Sequence, residues 1–294
     1  MDQAASSPSG SIEAVPALFA GLLDDAGLFP PAALPLATAA RAHLAHRASW
    51  YAALVGPFVC PSSRIADLAA ELPSPIAVSV VVPDGPDAVP SAYEAVAAAG
   101  LVSLAALEVP LGPPEVSAVA AARLAAATAS VPAAVPVYAE VAWYSPPSEL
   151  EETLDVLAAS GMRAKIRTGG LEAAAFPDET HLARVLLALC DRGLAFKCTA
   201  GLHEAVRRRG RTGFEQMGFA NILLATAAAR SGAGKSEVER LLGERDEERV
   251  AGAIARLDPS VRACFVSFGT CSVNEPVDDL ARLGLLVASG PPIL

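Results

Sequence analysis

Residues 163–170 read RAKIRTGG and residues 194–201 read LAFKCTAG. Each is a short apolar run that stops at glycine, and between them Glu179–Arg192 repeats apolar residues at helical spacing. Strand, helix and strand within some forty residues make a parallel βαβ unit. The rhythm continues outward from this pair. Further strands are predicted at Ala53–Cys60, Ile76–Val82, Val102–Val109, Val135–Ala142 and Arg262–Phe268, with helices at Ser63–Glu71, Ser91–Ala99, Glu115–Ala129 and Ser148–Ser160. An eighth strand near Leu22–Phe29, ahead of the turn FPPAALP, would close the sheet and remove its edges.

The expected fold is therefore α/β, a (β/α)8 TIM barrel. Residues 1–15 read as a disordered lead-in and residues 16–294 as one barrel domain, a size that a single barrel accommodates. One interval breaks the alternation. Residues 203–258 hold helical sequence such as GFANILLATAAA and VERLLGERDEERVAGAIARL and no strand, so a helical insertion is expected after the seventh strand. Loops there lie at the C-terminal face, where a lid would form, although an oligomer contact or an added packing layer explains the segment equally well.

Composition narrows the function. The chain has 294 residues, 53% of them hydrophobic, but proline and glycine interrupt every apolar run before the roughly 18 residues a membrane span needs. The N-terminus has no basic region followed by an apolar one, so the expected location is cytoplasmic. A net charge of −10 argues against nucleic acid as partner. Five cysteines without CxxC spacing fit a reducing compartment and core packing, with no disulfide framework or zinc knuckle. A small-molecule substrate is the expected partner, no membrane or cofactor is implied, and homo-oligomerisation is left open.

Lysine usage is the most informative chemical signal. Of 22 basic residues only Lys165, Lys197 and Lys235 are lysine, and the first two lie within apolar strands. An unpaired charge there is costly. A lysine in a dry site beside another cation can lose its proton and act as nucleophile or base, which arginine cannot. The alternative is that both lysines simply pair with buried carboxylates. Period-two geometry puts Lys165 with Arg167, and Lys197 with Thr199, on shared strand faces that can meet at the barrel mouth. Thr168, Gly169 and Gly201 close these strands with small residues that allow a ligand near the backbone. Glu108 and Glu140 are the candidate acids, and His203 follows the second lysine strand. Gly269, Thr270, Cys271 and Ser272 form a turn whose N–H groups could hold an anion.

Three other features read as structural. SGAGKS, residues 231–236, lacks the first glycine and the preceding strand of a phosphate-binding loop. His43 and His46 read as a solvent-facing pair on a helix, with no third metal ligand in view. The cluster Arg207, Arg208, Arg209 and Arg211 reads as a solvated loop or helix end.

With these residues in place, the chain resembles the deoxyribose-phosphate aldolase family of class I aldolases. LLDDAGLFPPA is similar to that family's I-D-H-T-x-L-K-P opening, and Val55–Glu71 followed by IAVSVVVPDG is similar to its second and third strands. Residues 165–169, KIRTG, fit K-x-x-T-G. Phe196-Lys197 with Ala200-Gly201 resembles F-K-x-x-G-G, and FGTCS, residues 268–272, resembles F-G-x-S-S. The resemblance implies that Lys165 forms a Schiff base with a small anionic carbonyl substrate, with phosphorylation left open. It also implies that Lys197 lowers the pKa of Lys165 by like-charge proximity and that Glu108 or Glu140 relays protons. The chain departs from the pattern at Ala105, which stands where the family has an acid, at Cys271, at the shifted glycine after Lys197, and in the 203–258 insertion.

Two other readings stay open at this level. Lys165, Arg167 and Lys197 could act only as an anion clamp in a barrel lyase or isomerase, with Glu140 and His203 moving protons or binding a metal. The scaffold could equally be a degenerate aldolase that binds a ligand without catalysis.

Overall fold

The computed structural model describes residues 15–210 and 213–287. Seven parallel strands come first: β1 (Leu23–Asp25), β2 (Val55–Pro61), β3 (Ile76–Val81), β4 (Val102–Pro110), β5 (Val137–Val141), β6 (Arg163–Arg167) and β7 (Phe196–Thr199). A small hairpin of β8 (Arg208–Arg209) with β9 (Glu215–Gln216) intervenes, and then β10 (Phe265–Thr270) supplies the eighth strand of a closed barrel. Strand β1 pairs with both β2 and β10, which completes the ring. Helices α1 (Leu36–Arg47), α2 (Ile65–Glu71), α3 (Val89–Ala98), α4 (Pro114–Ala127), α5 (Pro147–Ala159) and α6 (Glu179–Asp191) follow the first six strands in turn. The expected TIM barrel is the observed fold. Residues 1–14 of the expected lead-in, and Arg211, lie outside the described residues.

Local sequence explains the alternation. Proline occupies the first turn of α3, α4 and α5, where its missing N–H costs nothing and its fixed φ is already helical. Asp178 caps α6 by accepting from the His181 N–H at 2.8 Å. Helices α5 and α6 end in the same way. Gly161 and Gly193 take positive φ of 67° and 63°. In each case the next residue donates back into the helix, Met162 to Leu157 at 3.0 Å and Leu194 to Leu189 at 2.9 Å. This six-to-one closure turns the chain sharply toward the barrel. Lys165 and Lys197 each lie four residues beyond their glycine, and they stand directly opposite one another in the pairing of β6 with β7.

The helical segment expected after β7 is present, and it also holds a hairpin where no strand was expected. Besides the hairpin it contains three helices, α7 (Phe219–Arg230), α8 (Lys235–Gly243) and α9 (Glu247–Ile254). Helix α7 is buried over nearly its whole length, and Phe219 stacks on Phe268 of β10 at 5.0 Å. It therefore fills the barrel-helix position after β7, while α8 and α9 pack on it from outside. The parts of this segment that reach the C-terminal face of the barrel are its start, at His203, and the hairpin. The hairpin's two-residue polar strands carry no hydrophobic alternation, so sequence periodicity could not announce them.

Smaller corrections follow the same physics. The last strand begins at Phe265, later than expected, because Asp258 and Pro259 start a 3-10 turn over Pro259–Ala263. Arg207 is buried, 2.9 Å from Glu179, and so is not part of a solvated cluster, whereas Arg208 and Arg209 are exposed on β8 beside Glu204 and Glu215. His43 is buried, not solvent-facing, with its Nδ1 3.1 Å from Asp25 Oδ2; His46 is half-buried against the Tyr51 hydroxyl at 2.9 Å. The SGAGKS stretch is the turn from α7 into α8, where Lys235 pairs with Glu239. All five cysteines are free thiols. Among the described residues no helix is long and apolar enough to cross a membrane. Helix α10 (Asn274–Arg282) follows β10.

Candidate active site

Alternation along each strand sends every second side chain into the barrel. In β1 Asp24 points inward while Asp25 turns out to His43. In β4 it is Glu108 that points inward, flanked by the core residues Leu107 and Val109. Glu140 of β5, Lys165 of β6 and Lys197 of β7 join them, and Arg167 stands two residues beyond Lys165 at the rim.

These six side chains form one continuous chain of alternating charge. Lys197 Nζ lies 2.5 Å from both Asp24 Oδ2 and Glu108 Oε1. The other oxygen of Glu108 lies 2.8 Å from Lys165 Nζ, which is also 2.9 Å from Glu140 Oε2. Glu140 Oε1 then accepts from Arg167 Nε at 3.0 Å. Two hydroxyls complete the inner half: Ser79 donates to Glu108 at 2.6 Å and Ser267 to Asp24 at 2.8 Å. Exposure rises along the chain, from 1% for the Lys197 side chain to 5% for Lys165, 20% for Glu140 and 49% for Arg167.

Burial and pairing compete at each group. Burial alone would push Glu108 up, but Lys165 and Lys197 overcome it and hold the carboxyl far below the usual carboxylate range. Glu140 behaves alike: burial raises it, and Lys165 with Arg167 brings it below its ordinary value. At Lys197 burial favours the neutral amine, yet Asp24 and Glu108 outweigh it and raise the ammonium above the ordinary lysine range. Burial wins only at Asp24, whose carboxyl stays above its ordinary value despite Lys197. A carboxylate intervenes in the like-charge proximity of the two lysines that the family resemblance implies. Glu108 stands between the lysines, so each ammonium meets carboxylates first.

The outer half of the chain opens into a cavity of about 500 Å³ at the C-terminal face. Lys165, Lys197, Glu108, Glu140, Arg167, Thr199, Gly201, His203, Gly269 and Cys271 all line it. Thr168, Gly169, Thr270 and Ser272 stand behind this wall. Thr168 is fully buried and donates to the Ala200 carbonyl at 2.7 Å, and Gly169 lies against the backbone of Gly201. Thr270 donates to the Ser272 carbonyl at 3.0 Å. Period two divides the FGTCS stretch, so Gly269 and Cys271 reach the cavity and Thr270 does not. His203 Nδ1 lies 2.7 Å from Glu275 Oε2, which links the start of the post-β7 segment to α10.

Three contributions were missed in the sequence. Asp24 is the inner anchor of Lys197, and its only signal was a pair of adjacent acids in an otherwise apolar opening, LLDDAGL. Phe176 and Phe214 line the cavity from the β6–α6 loop and the hairpin, and nothing in their local sequence marks them. Among the described residues no group of three or more His, Cys, Asp or Glu side chains is arranged to hold a metal ion. In comparisons with known proteins, no family model and no curated protein matches the chain. The class that fold and site define is a TIM barrel with an ion-paired lysine duo beneath its mouth, a scaffold that serves many functions.

Proposed function

We propose that this protein is a class I, Schiff-base aldolase or closely related carbon–carbon lyase, with Lys165 as nucleophile and a small carbonyl compound bearing one negative group as substrate. The observation that carries this reading is the position of Lys165 Nζ: at the cavity wall, between two carboxylates, 2.8 Å from Glu108 and 2.9 Å from Glu140. A proton acceptor therefore lies beside the amine before substrate arrives.

The roles divide by exposure. Glu140, partly open to the cavity, takes a proton from Lys165, and the neutral amine adds to the substrate carbonyl. Glu140 returns that proton to the departing hydroxyl, so loss of water gives the iminium with Glu140 ionised again. Glu140 then accepts the proton of the substrate's β-hydroxyl as the carbon–carbon bond breaks, and the bonding pair moves to the iminium nitrogen, leaving an enamine and an aldehyde. Glu140 gives that proton to the enamine carbon, and hydrolysis of the iminium so formed releases the second carbonyl product and restores the amine. Glu108 stays ionised under both lysines and, with Lys197, fixes the position of Lys165. Arg167 uses Nε on Glu140 and presents its terminal nitrogens at the rim for a carboxylate on the substrate.

The anion-clamp reading has less support, because Lys165 and Lys197 each lie between two carboxylates, which leaves Arg167 to meet an anionic group of the substrate. The test is borohydride reduction with pyruvate, acetaldehyde and their simple aldol products, followed by peptide mass mapping. A stable adduct on the peptide containing Lys165, absent in Lys165→Met, is the expected result. Failure to trap any of these compounds on Lys165 defeats the proposal.

A further inference from the structure

Above the charged floor, the cavity is apolar. Phe29, Pro83, Pro110, Leu171, Phe176 and Phe214 form its upper wall, contributed by three loops, the end of β4 and the hairpin. Phe176 and Phe214 meet with ring centroids 5.4 Å apart at an interplanar angle of 43°, the tilted geometry of a favourable aromatic pair. Neither ring is fully buried, and Leu171 is 75% exposed at the same mouth. Large apolar side chains left open around a concave site mark a ligand surface more than a packing surface.

Charge and volume agree with this. Among the described lining residues, Lys165, Lys197, Arg167 and His203 all face acidic partners, so the upper cavity offers little to a phosphate or a polyhydroxylated chain. A volume of about 500 Å³ also exceeds what a three-carbon donor fills, and lies within the range of roughly 300–1,000 Å³ of sites for larger organic ligands.

We infer that the substrate carries an apolar, ring-sized group on the aldehyde side of the cleaved bond, seated against Phe176 and Phe214, so that cleavage releases an aromatic or bulky aliphatic aldehyde. This rests on the Schiff-base reading for the chemistry, but the apolar subsite can be tested without it.

The experiment uses two 2-oxo acids of equal charge, 4-hydroxy-2-oxo-4-phenylbutanoate and its analogue with hydroxymethyl in place of phenyl. Each is titrated in borohydride trapping, with Lys165 occupancy read by mass spectrometry. In parallel, calorimetry measures binding of 4-phenylbutanoate, which cannot form an imine. The phenyl compound should half-saturate Lys165 at a concentration roughly tenfold lower or more, the discrimination that an apolar pocket supplies. Phe214→Ala, with Phe214→Leu as the milder variant, should shrink that ratio and weaken 4-phenylbutanoate in step. Equal trapping of the two oxo acids overturns the inference and leaves the Schiff-base reading intact. Absence of trapping with binding of 4-phenylbutanoate that weakens in Phe214→Ala defeats the imine chemistry and leaves the apolar subsite. Absence of both defeats both.

Discussion

Lys165 and Lys197 reach the barrel by the same route and arrive in different surroundings. Each follows a helix closed by a glycine four residues earlier, and the two are direct partners across β6 and β7. Lys197 ends between two deeply buried carboxylates, with the Tyr138 ring 5.5 Å away. Lys165 shares one of those carboxylates and leans on Glu140, which the cavity partly exposes. Backbone repetition thus places two like residues, and the strands opposite them decide which one is enclosed by buried carboxylates and which one leans on a carboxylate open to the cavity.

The sharpest way to break this comparison is to remove each amine in turn. Lys165→Met should abolish borohydride-trapped adducts while remaining folded, since Glu108 keeps Lys197 and Ser79, and Glu140 keeps Arg167. Lys197→Met takes the cation from buried Asp24, which keeps only its Ser267 hydrogen bond, and one of two cations from Glu108, and loss of one partner from a buried pair costs roughly 3–5 kcal/mol. Urea unfolding of both variants checks the contrast: the Lys197 change should be the more damaging to stability, and equal losses would contradict the division of roles.

Acid titration separates the carboxylates next. Glu108 and Glu140 are depressed in the folded protein, so the stability they contribute is present above their ordinary value of 4.5 and is lost as pH falls through their lower folded values. Asp24, raised by burial, works with the opposite sign. Glu108→Gln should therefore flatten the fall in unfolding free energy below about pH 4.5, measured by urea midpoints across that range. At the alkaline end, Lys197 is raised, so its stabilisation is complete below 10.5 and is lost only as pH rises through its higher folded value. The smallest expected effect sharpens the common half of the comparison. Alanine at Gly161 or Gly193 meets no atom within 4 Å and pays only for left-handed backbone, so each should cost about 1–2 kcal/mol and the two should match.

The sequence reveals the barrel where strands are long and apolar. IAVSVV and VSLAALEVP declare themselves, whereas β1 is three residues of which two are acids, and only its place before a proline-rich turn pointed to it. The lysines were legible because arginine has replaced lysine almost everywhere else. Their partners were only half legible. Glu108 and Glu140 stand alone in apolar strands, but Asp24 sits beside Asp25, and local sequence does not say which acid faces inward. The aromatic wall was invisible for a different reason. Phe176 and Phe214 are 38 residues apart in irregular segments, and only the closed fold brings their rings together.

The shared carboxylate of Glu108 also constrains how the chain assembles. It contacts residues 57 and 89 positions further on, and Lys197 in turn reaches back 173 positions to Asp24. During vectorial synthesis the acids of β1 and β4 emerge long before either amine. A half-barrel ending ahead of β6 would enclose Asp24 and Glu108 with no cation to answer them, a penalty that disfavours early collapse around those strands. The ion lattice therefore ties consolidation of the interior to the arrival of β6 and β7, through contacts of the large sequence separation that slows folding in general.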